Sequence, residues 1–496
     1  MNYISTRGKI QPSDGVQSAD AIKQGLAPDG GLFLPETIPQ IGKYDLVKLT
    51  GMSYAQRAAF LMGKFLTDYD PAQLLADCTV AYDETSFPGG AAPLHTLNDT
   101  SEILELWHGP TCAFKDMALQ IMPRLLSRAL QITGETKDAL ILVATSGDTG
   151  KAALEGYRDI DRIQILVFYP VNGVSRMQKQ QMITQGGDNV RVCAISGNFD
   201  DAQNGVKAIF SDPNAAVELA KNNKFFSSAN SINFGRLAPQ IVYYFSAYAD
   251  LMSQNKLQPG DPINVCVPTG NFGNIFAAYI AKMMGLPIAK FICASNQNNI
   301  LTDFFRTGVY DRNRPFHTTM SPSMDILISS NLERYLFVKG GAARTSQYMR
   351  DLKETGKYTV DPALFAEIQQ EFFGYYCDET HTRDTIRRTW EEHKYLIDPH
   401  TAVAVNCAEQ HIEQTGDHTK TVIASTASPY KFPANVLSSL GKTASQDEFE
   451  ALDMLHAATG TPIPLPLSSL RDKAPRFEDV IAPKEMLQYT LSAFQS

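Results

Sequence analysis

The chain has no run of the roughly 18 consecutive apolar residues that a membrane span requires. Its opening residues, Met1 to Lys9, carry no apolar core of the kind that heads a secretory signal. It has no Cys-x-x-Cys pair: the seven cysteines stand scattered at 78, 112, 193, 266, 293, 377 and 407. An odd, dispersed set argues against a disulfide framework and against a structural zinc site, so a cytoplasmic location is expected and no metal. No basic run suggests nucleic acid, and the net charge of -9 with 20% charged residues describes an ordinary soluble acidic protein. The nine histidines do not cluster, and there is no internal repeat or low-complexity tract. What is present is length and apolar content: 496 residues with 44% hydrophobic residues can bury a large core spread over two to four domains.

Apolar runs at Ala139 to Ala144, Ile163 to Tyr169, Ile263 to Val267, Ile288 to Ala294 and Thr421 to Ala424 alternate with amphipathic stretches of helical length. Alternation of this kind predicts an α/β architecture with largely parallel sheets, and strands apolar along their whole length fit sheets buried on both faces. Breaks are expected at Pro88 to Pro93, Ser253 to Pro262, Arg312 to Pro322 and Thr461 to Pro466, where proline, glycine and polar residues gather.

Four segments carry chemistry. In Trp107-His108-Gly109-Pro110-Thr111-Cys112-Ala113-Phe114-Lys115-Asp116 a lysine sits between an aromatic and a carboxylate just after a Gly-Pro turn. An amine forms an imine with an aldehyde only when it has lost its proton, and partial burial beside Phe114 moves the lysine in that direction. The bland alternative is a surface or helix-start lysine. Pro268-Thr269-Gly270-Asn271-Phe272-Gly273-Asn274 lies between an apolar strand and the helical pattern of Ile275 to Met284. Glycines there allow close backbone approach, and free N–H groups at a helix start favour a phosphate. The spacing is neither that of a P-loop nor that of a dinucleotide fingerprint; a plain strand-to-helix turn is the alternative. Ala144-Thr145-Ser146-Gly147-Asp148-Thr149-Gly150 again joins a strand to a helix expected from near Lys151, and offers more polar side chains than one helix cap needs. Ser425-Thr426-Ala427-Ser428-Pro429-Tyr430-Lys431-Phe432 reads either as a capped turn or as a neutral hydroxyl aimed at a heteroaromatic nitrogen. Cys112 reads as a small buried hydrophobe, with no positioned base visible. His108 and His400 read as structural.

Taken in order, these four segments resemble the threonine synthases, pyridoxal-phosphate enzymes of the tryptophan-synthase-β fold type (fold type II). Gly25 to Phe33, Ser228 to Asn233 with Arg236, and Asp398 to Ala402 extend the resemblance over nearly the whole chain, and it is nearest to the longer branch of bacteria and fungi. The resemblance implies two parallel-sheet domains with an added helical N-terminal region: 1–92; a cofactor domain from 93–130 and 255–440; a smaller domain, 131–254; and a C-terminal segment, 441–496. It implies that Lys115 carries pyridoxal 5'-phosphate and moves protons on the substrate. Gly270, Asn271, Phe272, Gly273 and Asn274 would bind the cofactor phosphate, and Thr426 would face the pyridine nitrogen. Asp148 stands where many relatives of the fold type place an asparagine at the ring hydroxyl; an acid there repels a phenolate oxygen unless one of the two carries a proton, which leaves direct contact open. The implied substrate is O-phospho-L-homoserine, converted with water to L-threonine and phosphate in the last step of threonine biosynthesis. Ser146, Gly147, Thr149, Asn230, Ser231 and Arg236 are its candidate ligands. Ser146 and Gly147 are alternatively candidates for its carboxylate, and an ion pair is the alternative for Arg236. A monomer or homodimer acting on a small molecule is expected. Two rivals stay open: a phospho-lyase releasing 2-oxobutyrate from the same substrate, and a paralogue that binds without turnover.

Overall fold

The computed structural model describes residues 1–145, 147–172 and 174–494. Two parallel sheets organise it, as the alternating apolar runs require. The larger has six strands in the order Phe372–Tyr376, Ile288–Ser295, Ile263–Pro268, Thr421–Ser425, Ser101–Glu105 and Leu94–Thr96. All neighbours are parallel except the last pair, which is antiparallel. Ile263–Pro268 and Thr421–Ser425 are buried at every position, the signature of a strand covered on both faces. The smaller sheet has five strands, all parallel: Val480–Ile481, Val190–Ile195, Ile163–Pro170, Asp138–Ala144 and Lys224–Ser227.

The N-terminal region is helical, and its helices start where local chemistry tells them to. Ser53 caps Tyr54–Gly63 by accepting from Gln56 N, and the Gln56 side chain accepts in return from Ser53 N at 2.9 Å. Asp70 caps Pro71–Ala81 with proline at the first helical position. A strand pair, Tyr3–Ser5 with Phe33–Pro35, leads into this region.

Two placements differ from the sequence expectation. The segment 441–496 is not separate from the smaller sheet: Val480 and Ile481 pair with Ala194 and Ile195 at its edge. A two-residue strand is too short to leave a periodic signal. Helix Phe234–Ser253, inside the range expected for the smaller domain, packs against Tyr54–Gly63, Asp116–Leu119 and Gly273–Met283. It is buried almost throughout, in a core cluster that takes in residues of both sheets. Helix Asp148–Tyr157 of the smaller sheet in turn approaches the segment after Lys115 so closely that a Cβ on Gly156 would stand 1.8 Å from the Leu119 carbonyl oxygen. Only glycine allows that contact.

Candidate active site

The loops that leave the carboxyl ends of the parallel strands converge on one cavity, as the open α/β sheet dictates. It has a volume of ≈ 140 Å³, and Phe114, Lys115, Thr149, Asn230, Ser231, Arg236, Gly270 to Asn274 and Thr426 all contribute to its wall.

The turn bearing Lys115 is held from within and from the segment that follows strand Thr421–Ser425. Thr111 donates to both oxygens of Asp116, from its N–H at 2.8 Å and its hydroxyl at 2.7 Å. Asp116 therefore braces the turn, and burial lifts its carboxyl to about 6 against those bonds. Phe114 N donates to the Thr426 carbonyl at 2.8 Å, and Ser428 N to the Cys112 carbonyl at 3.1 Å. The first and fourth motifs are thus one piece of structure. Lys115 Nζ lies 5.6 Å from the Phe114 ring centroid. Surrounding protein pushes its amine below the ordinary lysine range, chiefly by desolvation; Asp148 opposes this, while Lys431 and Arg236 add to it. The thiol of Cys112 is pushed up to about 12 by burial, as suits an inert packing residue.

The glycine loop closes the opposite wall. A Cβ on Gly270 would stand 2.6 Å from the Ser323 carbonyl oxygen, and Phe272 takes a left-handed φ of 63° before helix Gly273–Met283. Loop carbonyls turn outward: Gly270 O accepts from Ser329 Oγ at 2.7 Å, and Asn271 O from Asn331 N at 3.0 Å. The leading N–H groups of the helix have no intrahelical carbonyl to meet. Asn274 Nδ2 is buried, partnerless and on the cavity wall. So is Arg236 Nε, while Arg236 Nη1 donates to the Ala229 carbonyl at 2.8 Å. No carboxylate among the described residues pairs with Arg236, and burial lowers its guanidinium to about 10. A buried cation with a partnerless Nε and a buried amide donor without an acceptor fit anionic ligands beside a deprotonatable amine.

Asp148 sits elsewhere. It is not part of the cavity wall: its carboxylate is 2.7 Å from Lys431 Nζ, with side-chain exposures of 6% and 1%, and accepts from Gln178 Nε2 at 3.2 Å. Lys431 Nζ also donates to the Thr111 carbonyl at 2.9 Å. Burial works to raise the Asp148 carboxyl, but Lys431 and then Lys115 hold it well below the usual carboxylate range. Gly147 also lies off the wall, and Ser146 falls outside the described residues. Sequence reasoning missed Lys431, although it stands inside the quoted fourth motif. The one available signal was charge complementarity between that lysine and the lone acid of the third motif. It also missed Gln240, Ser323 and Met324 and took His400 as structural; all four line the cavity.

A lysine beside a glycine loop, over two parallel sheets, agrees with the family model described as "Pyridoxal-phosphate dependent enzyme", which matches residues 86–426. Models described as "Threonine synthase N terminus" and "Threonine synthase, C-terminal" match residues 2–82 and 401–488. The chain belongs to the threonine synthase family. It is 38% identical over 442 residues to the threonine synthase of Pseudomonas aeruginosa, covering 88% of this chain and 90% of that protein. It is 41% identical over 485 residues to human threonine synthase-like 1, covering 92% of this chain and 64% of that longer protein. The crystal structure of pyridoxal-phosphate-bound threonine synthase from Brucella melitensis is similar with a TM-score of 0.88 at 36% identity, covering 100% of this chain and 99% of that one.

Proposed function

We propose that this protein is a threonine synthase, converting O-phospho-L-homoserine and water to L-threonine and inorganic phosphate with pyridoxal 5'-phosphate. The observation that carries this reading is Arg236: a buried guanidinium with no carboxylate partner and an orphaned Nε, facing the same cavity as Lys115. A guanidinium is a fork for a phosphate dianion, and Thr149, Asn230 and Ser231 stand on the same wall.

Pyridoxal phosphate, when bound, supplies an electron sink that makes the carbons next to the substrate nitrogen acidic enough to give up protons. The chain's own residues do the rest. The start of helix Gly273–Met283, with Asn274 Nδ2, would hold the cofactor phosphate, and the Thr426 hydroxyl, a neutral group, would meet its ring nitrogen. Asp148 acts through Lys431: paired with that lysine, it adds no net negative charge at the ring and biases the Lys115 amine. Lys115 Nζ takes protons from the substrate carbons and returns them, which one amine can do for successive atoms of a fixed substrate. Arg236 holds the phosphate as its bond to the γ-carbon breaks; water then adds at the β-carbon. The seven thiols are all buried and unpaired, which supports action in a reducing cytoplasm.

Arg236→Met tests the assignment. Loss of a charged hydrogen bond to phosphate should raise KM for O-phospho-L-homoserine about 10- to 100-fold, with the absorbance of bound cofactor unchanged. An unaltered KM would remove Arg236 from the substrate site.

A further inference from the structure

Ser323 and His400 share the cavity with Lys115. Lys115 Nζ donates to Ser323 Oγ at 3.4 Å, and Ser323 N donates to His400 Nε2 at 3.1 Å. A backbone N–H only donates, so Nε2 must be an unprotonated acceptor. The imidazole proton therefore sits on Nδ1, which is 2.7 Å from Asp398 Oδ1. Asp398 is fully buried, and His400 is 1% exposed. Asp398 also accepts from His400 N at 2.8 Å, from Thr401 N at 3.2 Å and from the Thr401 hydroxyl. That hydroxyl is 2.9 Å from Ser425 Oγ, which takes a bond from Trp107 Nε1 at 3.0 Å.

Capping helix Pro399–Thr415 requires only the carboxylate of Asp398 and the backbone N–H groups of His400 and Thr401. The imidazole is surplus to the cap. What it contributes is a rigid acceptor of fixed tautomer, locked by a buried carboxylate, for the backbone N–H of Ser323 itself; the N–H groups of Thr319, Ser321, Met324 and Asp325 are bonded within the loop. The same loop carries the carbonyl against which Gly270 packs. A single segment thus touches both the reactive amine and the phosphate cradle.

We propose that His400, oriented by Asp398, is a positioning residue that fixes Ser323 beside Lys115, and that the Ser323 hydroxyl accepts a hydrogen bond from the Lys115 ammonium each time that amine takes a proton from substrate. The inference rests on Lys115 being the proton-moving base of the proposed function. No proton passes to Ser323: the proton stays on Nζ until it returns to a substrate carbon, and Oγ only accepts. The other charged groups that act on Lys115, namely Asp148, Lys431, Arg236 and Asp116, are untouched by changes at Ser323.

The test has two arms on the holoenzyme. In the first, without substrate, histidine-labelled protein is followed by nitrogen NMR, with His400→Gln assigning the signal. The expected result is an Nδ1–H tautomer; an Nε2–H tautomer would overturn the His400–Ser323 link. In the second, Ser323→Ala should lower kcat about tenfold with KM and cofactor affinity unchanged. Its acid limb of kcat should move down by about 1 pH unit, because removing an acceptor destabilises the ammonium. Ser323→Thr should restore both, and His400→Gln, whose carbonyl can accept from Ser323 N, should keep more activity than His400→Phe. A Ser323→Ala profile that superimposes on the wild type would overturn the role of Ser323. A wild-type holoenzyme that leaves O-phospho-L-homoserine untouched would instead overturn the proposed function, with the NMR arm still deciding the positioning link.

Discussion

Desolvation costs Lys115 its proton more than the nearby Asp148 restores it, the condition under which an amine can form an imine. Lys115→Ala should therefore abolish the long-wavelength absorbance of bound cofactor and cut turnover by about 10²-fold or more. A variant keeping both would remove Lys115 from its place. Gly270→Ala should weaken cofactor binding about tenfold in an absorbance titration, since its Cβ would press within 2.6 Å of the Ser323 carbonyl oxygen; Gly42→Ala, with open space around it, serves as the control. These two residues were legible in the sequence because their signals are local: a Gly-Pro turn beside an aromatic, and glycines between a strand and a helix. Lys431 and Ser323 were not. Each meets its partners far away in the chain, Asp148 and Thr111 for the first and Lys115 and His400 for the second, and no local pattern announces such a pairing.

Among elements, the decisive joint is between helix Asp148–Tyr157 and the turn Pro429–Lys431, closed by one buried ion pair. Lys431→Met leaves Asp148 buried and unpaired, which should cost about 3–5 kcal/mol in denaturant unfolding, with much of the loss recovered on adding Asp148→Leu. The sign of the pH dependence follows from the depressed Asp148 carboxyl in the folded state. Its stabilisation is fully present above the ordinary carboxylate range and is lost as pH falls through the folded value, so the gap between wild type and Lys431→Met should be full above about pH 5 and shrink toward pH 3. The same variant removes a cation that lowers Lys115 and unmasks an acid that raises it, so cofactor loading should shift to higher pH. At this scale the long apolar strands were legible, each found within one or two residues of its run. Helix Asp148–Tyr157 begins three residues ahead of Lys151 because Asp148 and Thr149 are helical, not loop. Val480–Ile481 escaped because two residues cannot alternate.

In the whole molecule, two parallel sheets aim their carboxyl ends at one cavity, and helix Phe234–Ser253, buried among the N-terminal helices and beside the glycine-loop helix, delivers Arg236 to it. Fold type was readable because parallel sheets demand continuous apolar strands separated by helices. Which pieces pack together was less so: the return of the C-terminal strand to the smaller sheet depends on pairing, not on composition. No helix of the described residues is long and apolar enough to cross a membrane. To test the proposed reaction, the holoenzyme is mixed with O-phospho-L-homoserine and carbon products are followed by NMR alongside released phosphate. L-threonine formed in step with phosphate is the predicted result; phosphate accompanied by 2-oxobutyrate, or no phosphate at all from cofactor-loaded protein, would contradict it.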